Sequence, residues 1–303
     1  MAKILVVGSI NMDLVVRVPH APAPGETVLG GDFETFPGGK GANQAVAAAR
    51  MGGEVTMVGR VGSDDFGDTL IQGLVENKIK TTHVTKDSNA PTGIAMIAVA
   101  ADGENMIVVA SGANMQVSVE DVNKARDLMR ETDLLLLQLE LPVEAIASAV
   151  ELAKAYGVPV VLNPAPAQPL SKILLASIDV ITPNQNELAI LSGEQDLENG
   201  IQKLRAWGVK NLVVTLGANG ARVVTDGVDQ HVRAHEVTAV DTTAAGDAFN
   251  GALAVALAEK KSLLEAVGYG MAAGALATTK RGAQPSLPTR DAVMQVLDAN
   301  AAH

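Results

Sequence analysis

The chain has 303 residues, of which 34 are acidic and 23 are basic, so its formal charge at neutral pH is −11. The 48% hydrophobic content is typical of a globular protein, whereas the negative charge and the small aromatic content (four Phe, two Tyr, one Trp) argue against nucleic-acid binding. Cys is absent, which excludes disulfides, thiolate catalysis and cysteine-ligated metal sites. No apolar stretch approaches the roughly 18 residues of a membrane-spanning helix, so we expect a soluble, cytoplasmic protein with no membrane partner.

Short apolar runs alternate with amphipathic segments along the chain. The runs predict buried strands at Ile4 to Val7, Val55 to Val58, Leu134 to Leu139, Pro159 to Leu162, Ile178 to Thr182 and Leu212 to Leu216. Helices are predicted at Asn43 to Met51, Glu120 to Arg130, Val143 to Tyr156, Gln202 to Trp207 and Ala248 to Ala258. This alternation predicts an α/β fold with a mostly parallel central sheet and helices on both faces. No repeat or linker divides the chain, so we expect residues 1–303 to form one domain.

Two stretches interrupt this alternation, at about residues 11–36 and 90–112. The first is rich in Pro and Gly, and the second reads GIAMIAVA and NMIVVA on either side of Asp102 and Gly103. Asp-Gly between β-type runs is a strong hairpin signal. Together the two stretches predict a small β-sheet lid that projects from the α/β body.

The segment DTTAAGDAFNGALA, Asp241 to Ala254, has the pattern of an anion site at a helix start. We expect Thr242 or Thr243 to cap the helix, so that the amides of residues 244–246 face outward at the positive end of the helix dipole. Asp247 would then lie beside a bound phosphate as a candidate general base. Taken alone, the segment also fits an acidic residue that merely stabilises a helix start.

A glycine-rich segment, PGGKGANQAVAAARMG, precedes an Ala-rich helix at residues 37–52. It has neither the P-loop nor the dinucleotide-binding spacing. Gly38 and Gly39 would permit a ligand to approach the backbone, while Lys40 and Asn43 could bind hydroxyl groups. A plain glycine turn with a solvated lysine is the alternative.

Polar side chains follow two of the predicted strands. Asn11 and Asp13 come soon after the first strand, at the carboxyl edge where open α/β sheets bind ligands, and Glu140 follows LLLLQLE at the same edge. Asp13 could accept two hydrogen bonds from the adjacent hydroxyls of a sugar. Solvated carboxylates at strand ends would give the same pattern.

Two further segments are candidates for nucleotide binding. In TPNQNEL, Asn184 and Glu187 lie three residues apart at a predicted helix start, which suits either the water shell of Mg²⁺ or a helix cap. TLGANG, at residues 215–220, could admit a nucleotide, although alone it indicates only a turn.

The order and spacing of PGGKGANQAVAAAR, NPAPA, TPNQNE, TLGANG, DTTAAGDAFNGALA and RGAQPS resemble the ribokinase family of carbohydrate kinases over essentially the whole chain. The resemblance implies a three-layer α/β/α ribokinase-like fold with a β-sheet lid. It also implies ATP-dependent phosphorylation of D-ribose at its 5-hydroxyl, giving D-ribose 5-phosphate and ADP.

The resemblance assigns a role to each candidate residue. Asp247 would be the base and would contact the sugar, and the amides of Ala244, Ala245 and Gly246 would form an anion hole. The other sugar contacts would be Asn11, Asp13, Gly39, Lys40, Asn43 and Glu140. ATP would contact Asn184, Thr215, Gly217 and Gly220, and its Mg²⁺ would be held through Asn184 and Glu187. A monovalent cation, K⁺, would lie at Asp241 and Thr243, with the carbonyls of Ala277, Lys280 and Gly282 and with Ser286.

Two alternatives remain at this stage. A sister kinase acting on fructose, 2-keto-3-deoxygluconate or a nucleoside would share the phosphoryl-transfer residues. A nucleoside pocket would favour aromatic residues in the lid, which offers only Phe33 and Phe36. A non-catalytic sugar sensor of the same fold would not need the intact Asp247.

The hairpin also bears on assembly. In GIAMIAVA, Ile94 and Met96 face one side and Ile97 and Val99 the other, so both faces are apolar. A lid over a sugar needs only one covered face. We therefore expect a two-fold homodimer in which the lids of two subunits pack together, as the resemblance also implies.

Overall fold

The computed structural model describes residues 1–101 and 105–301. The strands are β1 (Lys3–Val7), β2 (Asn11–Val18), β3 (Phe33–Gly38), β4 (Glu54–Gly62), β5 (Lys80–Asp87), β6 (Gly93–Ala100), β7 (Asn105–Ala110), β8 (Leu134–Leu137), β9 (Val160–Leu162), β10 (Val180–Ile181), β11 (Leu212–Thr215), β12 (Ala221–Val224) and β13 (Asp229–Val232). The α-helices are α1 (Lys40–Arg50), α2 (Asp65–Glu76), α3 (Val119–Lys124), α4 (Val143–Tyr156), α5 (Lys172–Ala176), α6 (Gln185–Ser192), α7 (Leu197–Ala206), α8 (Ala245–Ala258), α9 (Leu263–Ala277), α10 (Ala283–Ser286) and α11 (Arg290–Ala301).

The body is a nine-stranded sheet between two helical layers. Its strand order is β13-β12-β11-β10-β9-β8-β1-β4-β5, with parallel pairing except at β12 and β13. Alternate residues of β1 point to opposite layers: Ile4 and Val6 pack in the core that includes α1 and α8, whereas Leu5 and Val7 pack in the core that includes α4. The predicted mostly parallel sheet, with helices on both faces, is confirmed.

Helices α1 and α8 each begin three residues earlier than predicted, and two other predicted helices differ more. The predicted helix from Glu120 to Arg130 is divided, because α3 ends at Ala125 (φ −90°, ψ 7°) and a 3-10 helix, Arg126–Glu131, follows and buries Met129. Helix α7 begins five residues earlier than predicted, where the side chain of Asp196 accepts a hydrogen bond from the amide of Asn199. Within the described residues, no helix is long and apolar enough to cross a membrane.

The two interrupting stretches form one separate four-stranded sheet, the lid. Its order is β3-β2-β6-β7, with β2 parallel to β6 and the other pairs antiparallel. The predicted hairpin is β6 with β7, and its turn at Asp102 and Gly103 lies outside the described residues. Asn11 and Asp13 therefore lie within a lid strand, a little beyond the sheet edge where we expected them.

The lid remains apolar and exposed on both faces. Ile97 and Val99 line the cavity that also contains Asp13, and the same face continues onto β7 as Ile107, which pairs with Ile97 and is 56% exposed. Val108, on the opposite face, is 59% exposed. We expected the sugar and a second copy to cover opposite faces of the lid, but Ile97 and Val99 themselves border the cleft, and their face extends beyond the cavity at Ile107.

Candidate active site

Predicted site residues that include Asp13, Lys40 and Asp247 line a cleft between the lid and the carboxyl ends of the body strands. A cavity of about 710 Å³ is bordered by the lid and by residues 239–243 and 281–283, and it includes Asp13 and Asp241. A second cavity of about 240 Å³ is lined by Lys40, Asn163, Ala165, Thr182, Asn184, Glu187, Thr215, Thr242, Ala244, Gly246, Asp247 and Asn250. The two cavities meet at Thr242, so the sequence motifs for sugar and for nucleotide border neighbouring spaces.

Helix α1 is held against the junction of β1 and β2 by glycines. Gly39, with φ 84°, is the N-cap, and a Cβ at this position would lie 2.7 Å from the backbone nitrogen of Asn11. A Cβ at Gly41 would lie 2.5 Å from the carbonyl carbon of Gly8. Larger residues would therefore push Lys40 and Asn43 away from the start of β2.

Asp247 is buried at the start of α8 and is held from two sides. Nδ2 of Asn43 donates to its Oδ2 at 2.9 Å, and Nε2 of Gln44 donates to its Oδ1 at 3.0 Å. Burial raises the pKa of Asp247, while Lys40 and the two amides act in the opposite direction. Each carboxylate oxygen keeps a second lone pair, so the group can accept a proton from a hydroxyl placed beside it.

An amide network that was not predicted from the sequence lies behind Asp247. Nε2 of Gln44 also donates to Oδ1 of Asn163 at 3.0 Å, and Oε1 of Gln44 accepts from Nε2 of Gln138 at 2.7 Å. These residues lie inside the motifs PGGKGANQ, NPAPA and LLLLQLE. Their positions in the sequence could have indicated the network, because all three amide side chains lie at the carboxyl end of a buried strand or at the start of α1.

The predicted threonine cap of α8 is wrong. The N-cap is Ala244, which has φ 58° and makes no side-chain cap, because the hydroxyl and amide of Thr243 both donate to Oδ1 of Asp241, at 2.6 and 2.9 Å. The predicted set of three free amides also needs correction, since the amide of Ala245 donates to the carbonyl of Thr242 at 3.2 Å. The amides of Ala244 and Gly246 have no hydrogen-bond partner in the described part of the chain.

Asp241 links the loop before α8 to the segment around Gly282. Its Oδ2 accepts a hydrogen bond from the amide of Gly282 at 2.9 Å. Burial opposes ionisation, but the hydrogen bonds from Thr243 and Gly282 lower the pKa of Asp241. The structure thus brings together three of the six residues predicted to hold a monovalent cation.

The other three predicted cation residues make hydrogen bonds within their own segments. The carbonyl of Ala277 accepts from the amide of Lys280 at 3.3 Å, and the hydroxyl of Ser286 donates to the carbonyl of Ala283 at 2.8 Å. Their place in a cation site stays a prediction.

Asp13 is a buried carboxylate in the lid. Burial, with the negative charges of Glu140 and Asp247, raises its pKa to about 7. A Cβ at Gly38 would lie 2.3 Å from either carboxylate oxygen, so only glycine leaves room for this side chain. Glu140 is tied to the start of α1, since its Oε2 accepts from the Ser9 hydroxyl at 2.5 Å and from the amide of Lys40 at 3.0 Å.

Lys40 supplies positive charge between these carboxylates. Burial alone would lower its pKa, but the negative charges of Asp247 and Glu140 raise the pKa of Lys40 above its usual value. Because Lys40 lines the smaller cavity, its ammonium group is available to an anion there.

Asn184 and Glu187 form a capping box at α6. The amide of Asn184 donates to Oε2 of Glu187, and the amide of Glu187 donates to Oδ1 of Asn184, both at 2.8 Å. Oε1 of Glu187 is left without a hydrogen-bond partner in the described residues, and burial raises the pKa of this carboxyl. No group of three or more acidic or histidine side chains in residues 1–101 and 105–301 is arranged to hold a metal ion.

The segment TLGANG borders the same cavity at Thr215, which forms an isolated parallel β-bridge with Asn184. A Cβ at Gly220 would lie 2.0 Å from the carbonyl oxygen of Val232, so this glycine permits close packing of β13. A Cβ at Gly217 would meet no other atom within 4 Å, so packing does not require glycine at this position.

These features define a class of enzyme. A buried carboxylate beside free helix amides can deprotonate a hydroxyl and stabilise a phosphoryl group, and the lid carboxylate suits a polyhydroxylated acceptor. A phosphotransferase that acts on a small hydroxylated molecule has these features.

The chain belongs to the pfkB family of carbohydrate kinases: the model of the "pfkB family carbohydrate kinase" matches residues 1–290. It is 45% identical over 298 residues to the ribokinase of Haemophilus influenzae, covering 97% of each protein. The crystal structure of ribokinase from Thermotoga maritima has a TM-score of 0.90 and 41% identity, covering 98% of this chain and 100% of that one. The structure of Arabidopsis thaliana ribokinase complexed with ribose and ATP has a TM-score of 0.87 and 35% identity, covering 98% and 99%. The predicted ribokinase-like fold with its lid is confirmed.

Proposed function

We propose that this carbohydrate kinase is a ribokinase, transferring the γ-phosphoryl group of ATP to the 5-hydroxyl of D-ribose and giving D-ribose 5-phosphate and ADP. Ribokinases similar to the chain over nearly its full length support this function, including one described as complexed with ribose and ATP. The observation that carries the chemistry is the position of Asp247, which is buried, hydrogen-bonded on both oxygens and adjacent to the free amide of Gly246.

The sugar would lie between the lid and α1. Asp13 accepts hydrogen bonds from two adjacent hydroxyls, and Asn11, Gly39, Asn43 and Glu140 complete its surroundings. The 5-hydroxyl would then lie at Asp247, which lines the smaller cavity.

The buried base and the free amides support the following path for phosphoryl transfer. As the 5-oxygen attacks the γ-phosphorus, its proton passes to Asp247 and the bond between the γ-phosphorus and the bridging oxygen of ADP breaks. The amides of Ala244 and Gly246, together with Lys40, stabilise the charge on the transferred group. The amide of Ala245 joins them only if its hydrogen bond to Thr242 opens.

Mg²⁺ bound to ATP would neutralise phosphate charge. Asn184 and Glu187, which line the smaller cavity, would hold the Mg²⁺ through its bound waters. Glu187 has one oxygen outside the helix cap for this purpose, whereas Oδ1 of Asn184 is engaged in the cap. A monovalent cation, K⁺, would bind beside Asp241, whose lowered pKa keeps it anionic.

A coupled assay of ADP release tests the function. We expect turnover with D-ribose and little with fructose, 2-keto-3-deoxygluconate, adenosine or 2-deoxy-D-ribose, which lacks one hydroxyl of the diol. 5-Deoxy-D-ribose should bind without turnover, because it lacks the acceptor hydroxyl. Preferential turnover of another sugar would indicate a sister kinase, and ribose binding without any turnover would indicate a sensor.

We further propose a homodimer that forms through the lid, supported by the exposed apolar side chains Ile107 (56%) and Val109 (47%) on the face that borders the cleft. A cytoplasmic location also stays a proposal, supported by the use of ATP.

A further inference from the structure

Asn114 lies outside every predicted set, yet it contacts the start of the lid strand that carries Asn11 and Asp13. It belongs to a short 3-10 helix, Gly112–Gln116, that follows the second lid hairpin strand. The helix is tied to the base of the lid, because the amide of Ala113 donates to the carbonyl of Pro91 at 2.8 Å. The side chain of Asn114 is 1% exposed.

The backbone of Ile10 fixes which way the Asn114 amide points. Its Oδ1 accepts from the amide of Ile10 at 2.9 Å, and its Nδ2 donates to the carbonyl of Ile10 at 3.2 Å. Reversing the side chain would oppose donor to donor and acceptor to acceptor. Nδ2 must therefore face Asn11.

That orientation in turn determines the orientation of Asn11. Nδ2 of Asn114 donates to Oδ1 of Asn11 at 2.6 Å, so the Asn11 amide is turned with its oxygen inward. Its Nδ2 has no hydrogen-bond partner in the described residues, and Asn11 as a whole is 3% exposed. Asn11 thus carries an unpaired donor two residues from Asp13, which lines the cleft, and on the same face of β2.

Gly93 makes this contact possible. A Cβ at Gly93 would lie 2.2 Å from Oδ1 of Asn11 and 2.4 Å from Nδ2 of Asn114. The space that the hydrogen bond occupies is thus present only because residue 93 has no side chain.

We propose that Asn114 is a positioning residue for the sugar site: it holds the Asn11 amide so that its NH₂ group, not its oxygen, meets a sugar oxygen. This inference rests on the proposed ribokinase function. It predicts that Asp13 accepts hydrogen bonds from sugar hydroxyls, whereas Asn11 donates to a sugar oxygen through a free lone pair of that oxygen.

A double-mutant cycle tests the proposal through the ribose KM, the ATP KM, kcat and the ribose Kd from calorimetry. Asn11→Ala and Asn114→Ala should each raise the ribose KM and Kd about tenfold, with kcat and the ATP KM within about twofold of wild type. The double variant should match Asn11→Ala, because Asn114 acts only through Asn11. Asn123→Ala, on the exposed surface of α3, is the matched control and should leave all four values unchanged.

A shape-conserving variant keeps the test sharp if Asn114→Ala folds poorly. Asn114→Asp retains the acceptor for Ile10 but presents oxygen to Asn11, which should turn its NH₂ inward and lose ribose affinity to the same extent. A wild-type ribose KM in both Asn114 variants, or fully additive effects in the double variant, would overturn the proposal. Absence of ribose turnover by the wild-type chain would instead overturn the proposed function, so the two failures are distinguishable.

Discussion

Gln44 donates a hydrogen bond to Oδ1 of Asp247 at 3.0 Å while its own carbonyl accepts from Gln138 at 2.7 Å. The second bond opposes reversal of the Gln44 amide, so Asp247 meets a donor. This donor favours the ionised carboxylate and partly offsets the effect of burial on its pKa. Together with Lys40 and Asn43, Gln44 thus makes the pKa of Asp247 lower than burial alone would make it.

Replacing Gln44 tests this relationship. We expect Gln44→Met, which preserves side-chain length, to raise the pKa of Asp247 and to move the acid limb of the kcat–pH profile to higher pH. The change also leaves Nε2 of Gln138 and Oδ1 of Asn163 without a partner, which costs about 1–3 kcal/mol of unfolding free energy per group, while Nδ2 of Asn163 keeps its bond to the carbonyl of Thr182. Gln72→Met, on the exposed face of α2, is the control. An unshifted acid limb would show that Gln44 has only a structural role.

Asp247→Asn should abolish turnover and spare sugar binding. The amide cannot accept the proton of the 5-hydroxyl, and loss of a general base typically lowers the rate by about 10²- to 10⁴-fold. Local structure should survive, because Oδ1 of Asn43 is buried without a partner in the described residues and can accept a hydrogen bond from the new amide. The measurements are kcat and the calorimetric ribose Kd, with Asp127→Asn as the surface control. Retention of more than half the wild-type kcat would remove Asp247 as the base.

Asp13→Asn should increase stability in a pH-dependent way. The carboxyl has a pKa of about 7 in the folded chain and an ordinary value of 3.8. Between these values the unfolded chain holds fewer protons than the folded chain, so wild-type stability falls as pH rises through this range. The unfolding free energy of the variant lacks this dependence on pH. The difference in unfolding free energy between variant and wild type is therefore small at pH 4, grows up to pH 7 and is constant above pH 7.

The size of that advantage can be bounded. Each pKa unit corresponds to about 1.4 kcal/mol, which limits the gain in unfolding free energy to about 4 kcal/mol. Urea unfolding at pH 5 and pH 8 measures the difference. Ribose affinity should fall in the same variant, and in the wild type it should rise from pH 6 to pH 8 as Asp13 ionises. Equal stability of the two proteins at pH 8 would contradict the raised pKa.

A monovalent cation should activate the enzyme. Asp241 orders Thr243 and Gly282 through three hydrogen bonds, and this loop leads directly into Ala244 and Gly246. Replacing all monovalent metal ions with tetramethylammonium should lower kcat severalfold, and adding K⁺ should restore it. The Asp241→Asn variant should be less active and insensitive to the exchange. An unchanged wild-type kcat after the exchange to tetramethylammonium would exclude an activating cation site at Asp241.

The sequence predicted those parts of the fold and site that depend on local pattern. Buried runs such as LLLL at β8 predicted strands, and Asp-Gly between apolar runs predicted the lid hairpin. The threonine cap of α8 was wrong because Thr243 bonds to Asp241, a contact whose geometry depends on the approach of Gly282, 41 residues away. Asn114 and Gln138 could not be assigned, because their partners lie 104 and 94 residues away and only the tertiary fold brings them together.

The lid should join two copies of the chain through the face that borders the cleft. Ile97, Val99, Ile107 and Val109 form an apolar stripe on this face, and Ile107 and Val109 stay 56% and 47% exposed beyond the sugar site. Burial of such a stripe against its two-fold copy would remove it from water, which favours association.

Light scattering on a size-exclusion column at micromolar concentration should give about twice the chain mass of 31.2 kDa. Ile107→Asp should lower that mass, because it places a charge in the stripe, whereas Val108→Asp, on the opposite face of the same strand, should not. Ile97→Asp and Val99→Asp should also lower the mass, but they change the sugar cleft as well, so Ile107→Asp is the cleaner probe. A monomeric wild type would exclude the dimer, and dissociation by Val108→Asp alone would place the interface on the other face of the lid.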